Sequence, residues 1–416
     1  MKISRYRQII ENFFSLSILN ALNVLLPLVT LPYILHTVGK ANYGAYSYVY
    51  AVLQYVILFS TYGFNFSATK QISQCRDDKE AVTRIYNAVI VCKGIIAVVL
   101  SVLLLLLSRL VFKDEMGLMM FIYGLGMVVG DVFTPVWLFQ GMEKMKFMTM
   151  VNASSKILFT VLIFIVVRSR EDYDLLILLN SLGYILAGML SIVLVNTQFK
   201  IRFRRSTFGD IVSQFKDGGA VFGSTFGMNL YRNANVIILK QFVTDDLVGI
   251  YSAAEKVVKG FQSIISPAAQ ALFPHLSQRF KGKPVKNNMR LLRRIALPFT
   301  AVVLVVSLGV YIFAPIISDL LCGKEFAACV PFIRIMVLVI LFGEINYLVG
   351  IVGLINMDGQ ALFFRSVLIT GCFSVVFMLL CVPHWGVTAA AWAMSLSEIM
   401  LFALCLLSLY RISKRK

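Results

Sequence analysis

The chain has 416 residues, of which 59% are hydrophobic and only 14% are charged, and its mean hydropathy is +0.81. A soluble globular domain carries about 25% charged residues, so this composition excludes that class. The formal net charge of +18 would suggest nucleic-acid binding in a soluble protein. Here most Lys and Arg residues lie between long apolar segments, which is the pattern of a polytopic helical membrane protein.

Apolar runs of about 20 residues recur along the chain, and each is long enough to cross a hydrocarbon core about 30 Å thick. They predict an all-α protein with twelve transmembrane helices. The predicted spans are Phe13 to Leu35, Tyr43 to Asn65, Tyr86 to Val111, Met116 to Gln140, Phe147 to Val167, Leu175 to Val195, Gly218 to Val243, Leu247 to Pro274, Ile295 to Leu320, Pro331 to Ile355, Ala361 to Val382 and Gly386 to Tyr410.

Lys and Arg are distributed unequally between alternate loops. One set of loops, which includes both termini, holds 26 of these residues, and the opposite set holds 6. The two longest connections, Phe199 to Asp217 and Gln278 to Arg294, belong to the basic set. Because cytoplasmic loops are enriched in Lys and Arg, both termini are predicted to be cytoplasmic.

A weak internal repeat relates two short segments at an offset of 205 residues. Val38 to Ser47 aligns without gaps on Val243 to Ser252, with identities at Val, Gly, Tyr and Ser. The offset carries the first pair of spans onto the seventh and eighth and predicts two parallel six-helix halves around a central cavity. The halves would be residues 1–198 and 218–416, and residues 199–217 would form a cytoplasmic linker.

Several cations lie deep within predicted spans. Arg232 is near the middle of the seventh span, Lys256 and Lys259 are on adjoining faces of the eighth, and Lys156 is inside the fifth. Each such charge costs about 2.5–3.5 kcal/mol at a helix centre, so these residues should face a bundle interior or a water-filled cavity. We expect them to line a cationic transport path. Structural pairing with acidic residues of other helices is the alternative.

Three further cations lie nearer to the ends of their spans, where long side chains can reach the membrane surface. Snorkelling of this kind is therefore expected for Lys93, Lys240 and Arg334.

Acidic residues also lie inside the spans. They are Asp131, Glu255, Glu344 and Glu398. These carboxylates could neutralise the cations, bind a coupling ion, or do both. Gly124, Gly126 and Gly130 in the fourth span are expected to loosen that helix.

No enzyme or cofactor motif is present, because the chain has no Walker sequence, no glycine-rich nucleotide fingerprint and no HExxH. Seven Cys without a CxxC pair argue against a metal or redox site. Cys322 and Cys329 flank a short outward loop, where they could pair in a periplasm or remain free thiols. Neither a cofactor nor a metal is predicted.

Several stretches of the chain form a recognisable set. They are Asn23 to Tyr33, Gly39, Tyr43-Gly44, Tyr62 to Thr69, Pro135 to Gly141, Glu143 to Lys146, Val248 to Ala254 and Phe273-Pro274. Together they resemble the N-terminal signature of bacterial O-antigen and polysaccharide flippases. The resemblance covers the first eight predicted spans in order.

The resemblance implies a member of the multidrug, oligosaccharidyl-lipid and polysaccharide exporter superfamily. Such a flippase moves undecaprenyl-diphosphate-linked oligosaccharides from the cytoplasmic to the periplasmic leaflet of the inner membrane. It would act by alternating access and serve a polysaccharide polymerase and a chain-length regulator. Relatives use cations in the central cavity, a role that Arg232 and Lys259 could fill. Many relatives carry an acidic residue in the seventh span, where this chain has Asn233 and Asn235, so an ion-coupling role for that helix is in doubt.

Two other functions fit a polytopic membrane protein. A multidrug exporter of the same superfamily would favour an acidic cavity that attracts organic cations, whereas deep cations prevail here. A polysaccharide polymerase or ligase would need a sizeable outward loop for its chemistry, and the predicted outward loops are all short.

Overall fold

The computed structural model describes residues 2–111, 115–280, 284–357 and 359–415. These residues form helices and short connections, and no strand occurs among them. The helices α1 to α12 are, in order, Lys2–Thr61, Phe64–Gln74, Lys79–Val111, Glu115–Val132, Val136–Gly141, Met145–Val166, Leu175–Gln198, Phe208–Lys240, Asp245–Phe280, Val285–Cys322, Cys329–Asn346 and Gln360–Arg415.

Glycine interrupts the two longest helices. Gly39 in α1 has φ 75° and ψ 174°, and Gly386 in α12 has φ 51° and ψ −129°. Only glycine adopts such positive φ values without strain. A continuous helix of 60 residues would measure about 90 Å, three times the hydrocarbon thickness. Each long helix therefore consists of two segments, and the breaks lie where the sequence predicts loops between spans.

Eight helices in the described part of the chain are long and apolar enough to cross a membrane. Large apolar side chains are exposed along several of them, such as Val98 on α3 and Val305 on α10. Side chains of this kind are compatible with lipid and not with a water-exposed surface. The chain is therefore a multi-pass helical membrane protein, and the number of twelve spans stays a prediction.

The helices form two compact units. Unit 1 comprises residues up to Thr30 together with Tyr48–Phe226, and unit 2 comprises Leu31–Ser47 and the residues from Gly227 onward. Residues 199–207 connect α7 to α8 without helical structure, and α8 begins at Phe208, inside the predicted linker. The predicted division into residues 1–198, 199–217 and 218–416 stays a prediction.

Within unit 1, small residues bring α4 and α7 close together. A methyl group on Gly126 would meet Ser181, and one on Gly130 would overlap the backbone of Tyr184. The Ser181 hydroxyl donates a hydrogen bond to the carbonyl of Tyr123 over 2.5 Å. These glycines therefore serve close helix packing, as small residues commonly do in membranes. The expectation that they loosen α4 stays a prediction.

Unit 2 has an apolar core at one end. Leu276 of α9, Leu292 of α10 and Cys405 of α12 are buried there. A π-helix, Tyr347–Leu354, follows α11 and adds Leu348 and Val352 to the same core. Helix α11 packs on α9, α10 and α12, so it is the central helix of this unit.

Also within unit 2, the two segments of the sequence repeat contact each other reciprocally. A methyl group on Gly44 would overlap the backbone of Asp245, and one on Gly249 would overlap the backbone of Lys40. The offset of 205 residues relates Gly44 to Gly249 and Lys40 to Asp245. The contact is therefore locally two-fold symmetric, and both glycines are required because each faces backbone that cannot move aside.

The connection between α6 and α7 is fixed by Asp172. Its carboxylate accepts hydrogen bonds from the backbone N–H groups of Arg168 and Ser169, over 2.9 and 2.8 Å. These donors stabilise the charged form and lower the pKa of Asp172 below its usual value.

We expect Gly44→Ala and Gly249→Ala each to lower the thermal stability of the purified protein, because the added methyl group overlaps backbone. Overpacking of this kind costs about 1–3 kcal/mol. Gly94→Ala and Gly309→Ala are matched controls, since nothing lies within 4 Å of an added methyl group at either position. Equal melting temperatures for all four variants would contradict the close contact.

Candidate functional site

A stripe of polar residues runs along one face of α9 in unit 2. The residues are spaced by three or four positions and therefore lie above one another on the helix. Over the stripe the helix rises about 22 Å, most of the thickness of a hydrocarbon core. We name these residues the α9 polar stripe: Tyr251, Glu255, Lys259, Gln262 and Ser266.

The first half of the stripe contains an ion pair. Lys259 Nζ lies 2.7 Å from Glu255 Oε1, one helical turn away. The Lys259 side chain is 39% exposed and that of Glu255 only 11% exposed. One turn earlier, the buried Tyr251 hydroxyl accepts a hydrogen bond from Asn235 Nδ2 over 3.1 Å. Lys259 thus holds its carboxylate partner while part of its side chain stays accessible.

The second half of the stripe faces two buried carboxylates. Glu344 of α11 is 2% exposed and Glu398 of α12 is 4% exposed. The Ser266 hydroxyl donates to Glu344 Oε1 over 2.6 Å. Gln262 approaches through a gap left by Gly343, because a methyl group there would overlap the Gln262 amide and lie 3.9 Å from the Glu398 carboxyl carbon.

Asn346 holds the Glu398 carboxylate. Its Nδ2 donates to Glu398 Oε2 over 2.7 Å and to the Glu398 carbonyl over 2.9 Å. Its Oδ1 is buried and has no hydrogen-bond partner among the described residues. The amide therefore offers a donor to a charged carboxylate and keeps an unused acceptor for a protonated one.

The backbone changes geometry next to these carboxylates. Helix α11 ends at Asn346, and the π-helix Tyr347–Leu354 begins at the next residue. π-Helical turns are rare and frequently occur at functional sites. Here the turn directly follows the residue that holds Glu398.

Unit 1 contains a separate buried ion pair. Lys93 Nζ lies 2.7 Å from Asp131 Oδ2, donates to the Asp131 carbonyl over 2.8 Å, and lies 5.2 Å from the centre of the Trp137 ring. Lys93 is only 2% exposed. The expectation that Lys93 snorkels is wrong. Asp131 and Trp137 lie close enough to hold the Lys93 amino group inside unit 1.

The two other cations expected to snorkel behave differently from Lys93. Lys240, the last residue of α8, lies 2.6 Å from Oδ1 of Asp245, the first residue of α9, so the two side chains form an ion pair. Arg334 donates to the carbonyl of Tyr311 over 3.3 Å and remains exposed.

The remaining cations of the predicted path belong to three different helices. Lys256 lies 5.9 Å from the centre of the Tyr43 ring, a cation–π contact within unit 2. Lys156 is half-buried on α6 in unit 1 and has no ion-pair partner in the part of the chain that the structure describes. Arg232 belongs to α8, but its side chain lies outside the described residues, as does that of Asn233.

Sequence reasoning missed Gln262, Ser266 and Asn346. The spacing of the stripe along α9 could have revealed the first two, because Glu255, Gln262 and Ser266 share one helical face. Asn346 and Ser266 reach their carboxylates across 52 and 78 residues of sequence, which periodicity cannot show.

The cysteines and possible metal ligands add no further site. Cys322 and Cys329 are buried free thiols, and Cys329 Sγ donates to the carbonyl of Ile250 over 3.2 Å. Among the described residues no group of three His, Cys, Asp or Glu side chains could hold a metal ion.

These features define a multi-pass helical membrane protein with ionisable groups inside its helical units. A family model described as "Polysaccharide biosynthesis protein" matches residues 9–280. The chain belongs to this family, and its resemblance to O-antigen and polysaccharide flippases is confirmed.

Two relatives carry the name "Putative O-antigen transporter". The protein of Escherichia coli (strain K12) is 31% identical over 276 residues, which are 66% of each chain. The protein of Shigella dysenteriae is 24% identical over 98% of this chain and 100% of its own length.

Solved structures show the same fold at low sequence identity. The lipid II flippase MurJ, in an inward closed conformation, has a TM-score of 0.77 at 10% identity, over 97% of this chain and 90% of its own. An inward-facing multidrug resistance MATE family transporter of the MOP superfamily has a TM-score of 0.67 at 13% identity, over 93% of this chain and 98% of its own. The relatives are named as transporters and flippases, not as enzymes.

We expect Lys93→Met to reduce the amount of folded protein and its melting temperature, because it leaves Asp131 without the cation it contacts. Breaking a buried pair costs about 3–5 kcal/mol. Lys93→Met combined with Asp131→Leu should recover most of the loss, since the double variant buries no unpaired charge. Thermal unfolding of the purified variants measures both effects, and a double variant as unstable as the single one would contradict the pairing argument.

Proposed function

We propose that this protein is a flippase for undecaprenyl-diphosphate-linked oligosaccharide repeat units of O-antigen or a related surface polysaccharide. It moves them from the cytoplasmic to the periplasmic leaflet of the bacterial inner membrane. The α9 polar stripe is the observation that supports this proposal most directly. A diphosphate with a hydroxylated head group cannot cross hydrocarbon unaided, because burying an unpaired ion costs several kcal/mol. A polar stripe about 22 Å long supplies polar partners across most of the thickness of the hydrocarbon core.

The proposed architecture is the one predicted from the sequence. It has twelve spans in two parallel six-helix halves that alternate in access to the two sides of the membrane. Both termini are cytoplasmic, which is supported by the 26 to 6 distribution of Lys and Arg between alternate loops. A reporter fused after Lys416 that is active only in the periplasm would reverse this orientation.

The cations contact the diphosphate of the passing substrate. Lys259 is suited to this role because its side chain is partly exposed although Glu255 holds its amino group. Lys156 is half-buried among the apolar residues of α6, where an anionic ligand would offset its desolvation. Arg232 is included because it lies near the middle of its predicted span and because its planar guanidinium group can donate to two phosphate oxygens at once. Lys256 is the fourth candidate.

We expect Arg232→Gln and Lys156→Gln to slow flipping by about tenfold each, because a charge-assisted hydrogen bond contributes roughly 1.5–3 kcal/mol. Arg232→Lys and Lys156→Arg should recover part of the rate. The measurement is the leaflet distribution of lipid-linked oligosaccharide in proteoliposomes, with the amount of folded protein determined in parallel.

Lys286→Gln is the matched control, since it removes an exposed cation at the start of α10. Normal flipping by folded Arg232→Gln and Lys156→Gln proteins would refute the cationic path. If the wild-type protein does not flip lipid-linked oligosaccharide in the same vesicles, the proposed function itself is refuted.

Glu398 is the coupling carboxylate that the geometry favours. Asn346 can donate to Glu398 when it is charged, and the unused Asn346 Oδ1 can accept a hydrogen bond when it is protonated. Glu344 is the second candidate, because the Ser266 hydroxyl can also act as donor or acceptor. Asp131 and Glu255 are less suited, since protonation would remove the partner of Lys93 or of Lys259.

We expect Glu398→Gln to abolish the stimulation of flipping by a proton gradient while leaving slow, gradient-independent flipping. Gln preserves the shape of the side chain but cannot ionise. Asp319→Asn, which neutralises an exposed carboxylate on α10, is the control and should keep the stimulation. If flipping by Glu398→Gln and by Glu344→Gln still depends fully on the gradient, neither residue is the coupling site.

A multidrug exporter is the second candidate function, and the buried carboxylates Glu344 and Glu398 favour it because such groups attract organic cations. The same proteoliposomes distinguish the two functions. Gradient-driven accumulation of a cationic dye, without flipping of lipid-linked oligosaccharide, would select the exporter.

A further inference from the structure

A basic pocket of about 1070 Å³ lies in unit 1, where α3 begins, α7 ends and α8 begins. We name it the linker pocket, because residues 200–207 form much of its lining. Two carboxylates, Glu80 and Asp210, face six cations in the lining. The cations are Lys79, Arg84, Lys200, Arg202, Arg204 and Arg205.

One of the two carboxylates is already engaged in capping α8. Asp210 Oδ2 accepts a hydrogen bond from the Thr207 hydroxyl over 2.7 Å. The backbone N–H of Asp210 in turn donates to that hydroxyl over 3.2 Å. Asp210 thus holds the first turn of its helix. Six cations against two carboxylates leave the pocket lining with an excess of positive charge.

The cations are held on a fixed backbone. Asn87 is 1% exposed, and its Nδ2 donates to the Arg202 carbonyl over 3.2 Å while its Oδ1 accepts from the Arg204 N–H over 3.1 Å. The N–H of Ile201 donates to the Val195 carbonyl over 3.2 Å, and Ile201 itself is buried. Because the backbone is fixed before any ligand arrives, binding costs less ordering entropy.

The linker pocket lies at the ends of α3 and α7, two helices that are long and apolar enough to span a membrane. Its lining includes Lys79, the first residue of α3, and Asn196, near the end of α7. The end of such a helix is where a span leaves the hydrocarbon core. Phe203 and Phe208 belong to the same segment and are 71% and 81% exposed. Aromatic side chains beside Arg and Lys are typical of segments that lie at the depth of lipid headgroups.

We propose that the linker pocket binds the phosphate of a lipid whose headgroup carries a net negative charge. Arg202, Arg204 and Arg205 supply paired N–H donors to the phosphate oxygens, and Lys79 and Arg84 add positive charge. Phe203 and Phe208 contact the apolar part of the same lipid. Clusters of Lys and Arg at a membrane surface attract anionic lipids, with each cation contributing to the affinity. This proposal stands independently of the transported substrate.

The test uses the full-length protein in detergent and counts bound lipid by native mass spectrometry. The probes are phosphatidylglycerol, the zwitterionic phosphatidylcholine, farnesyl diphosphate as an isoprenoid diphosphate, and inorganic diphosphate. We expect Arg202→Gln with Arg204→Gln to weaken binding of the preferred lipid phosphate about tenfold. Phe203→Ser with Phe208→Ser should weaken binding of the lipids but not that of inorganic diphosphate.

Arg293→Gln with Arg294→Gln is the matched control, because it removes two exposed neighbouring Arg residues from α10. If the wild-type protein prefers phosphatidylglycerol and only Arg202→Gln with Arg204→Gln abolishes that preference, the ligand is a phospholipid. If the wild-type protein instead prefers farnesyl diphosphate alone and the same variant abolishes that preference, the ligand is an isoprenoid diphosphate. The proposal is overturned if phosphatidylcholine binds equally well, if the control variant loses as much binding, or if inorganic diphosphate binds as tightly as every lipid. Melting temperatures of all variants separate lost binding from lost folding.

Discussion

A charge inside an apolar helical protein is costly without a partner, and this constraint accounts for the contacts of Lys93, Glu344 and Glu398. Lys93 reaches Asp131 across two helices of unit 1, whereas Lys259 finds Glu255 one turn away on its own helix. Glu344 and Glu398 accept hydrogen bonds from a hydroxyl and an amide. Leaving any of these groups unpaired would cost several kcal/mol, which is comparable with the whole stability of a typical domain.

The type of partner distinguishes charged groups that only stabilise the fold from those that can change their protonation state. The ion pair of Lys93 and Asp131 is structural, because removing either charge leaves the other inside unit 1 without the partner it contacts. The contact between Asn346 and Glu398 can persist in both protonation states, because the amide carries a donor and a buried, unused acceptor. A transport cycle coupled to protons would need a group that gains and loses its proton without disrupting its surroundings. On this ground Glu398 is a stronger candidate for the coupling carboxylate than Asp131. The sequence alone does not distinguish the two residues, because both lie well inside predicted spans.

The sequence predicts the membrane class and the helix breaks near Gly39 and Gly386, because both depend only on residues that are close together in the sequence. It also locates Glu344 and Glu398 inside spans, since apolar neighbours surround them. Hydropathy does not show which side chains of one helix face a neighbouring helix, and for this reason the burial of Lys93 against Asp131 is missed. The hydrogen bonds of Ser266 and Asn346 depend on helix packing over long sequence distances. The roles of Arg232, Lys156, Lys256 and Lys259 as substrate contacts stay predictions.

The sequence repeat shows how a weak pattern can carry structural information. Four identities in ten positions are little evidence by themselves, yet the two repeated segments pack directly against each other in unit 2. In a two-fold contact any requirement at one position recurs at its equivalent, because each position faces the partner of the other. Gly44 needs to be small where it meets Asp245, so Gly249 needs to be small where it meets Lys40. The glycine identity at this offset therefore follows from the geometry of the contact, whereas Lys40 and Asp245 meet the glycines through backbone atoms and are free to differ.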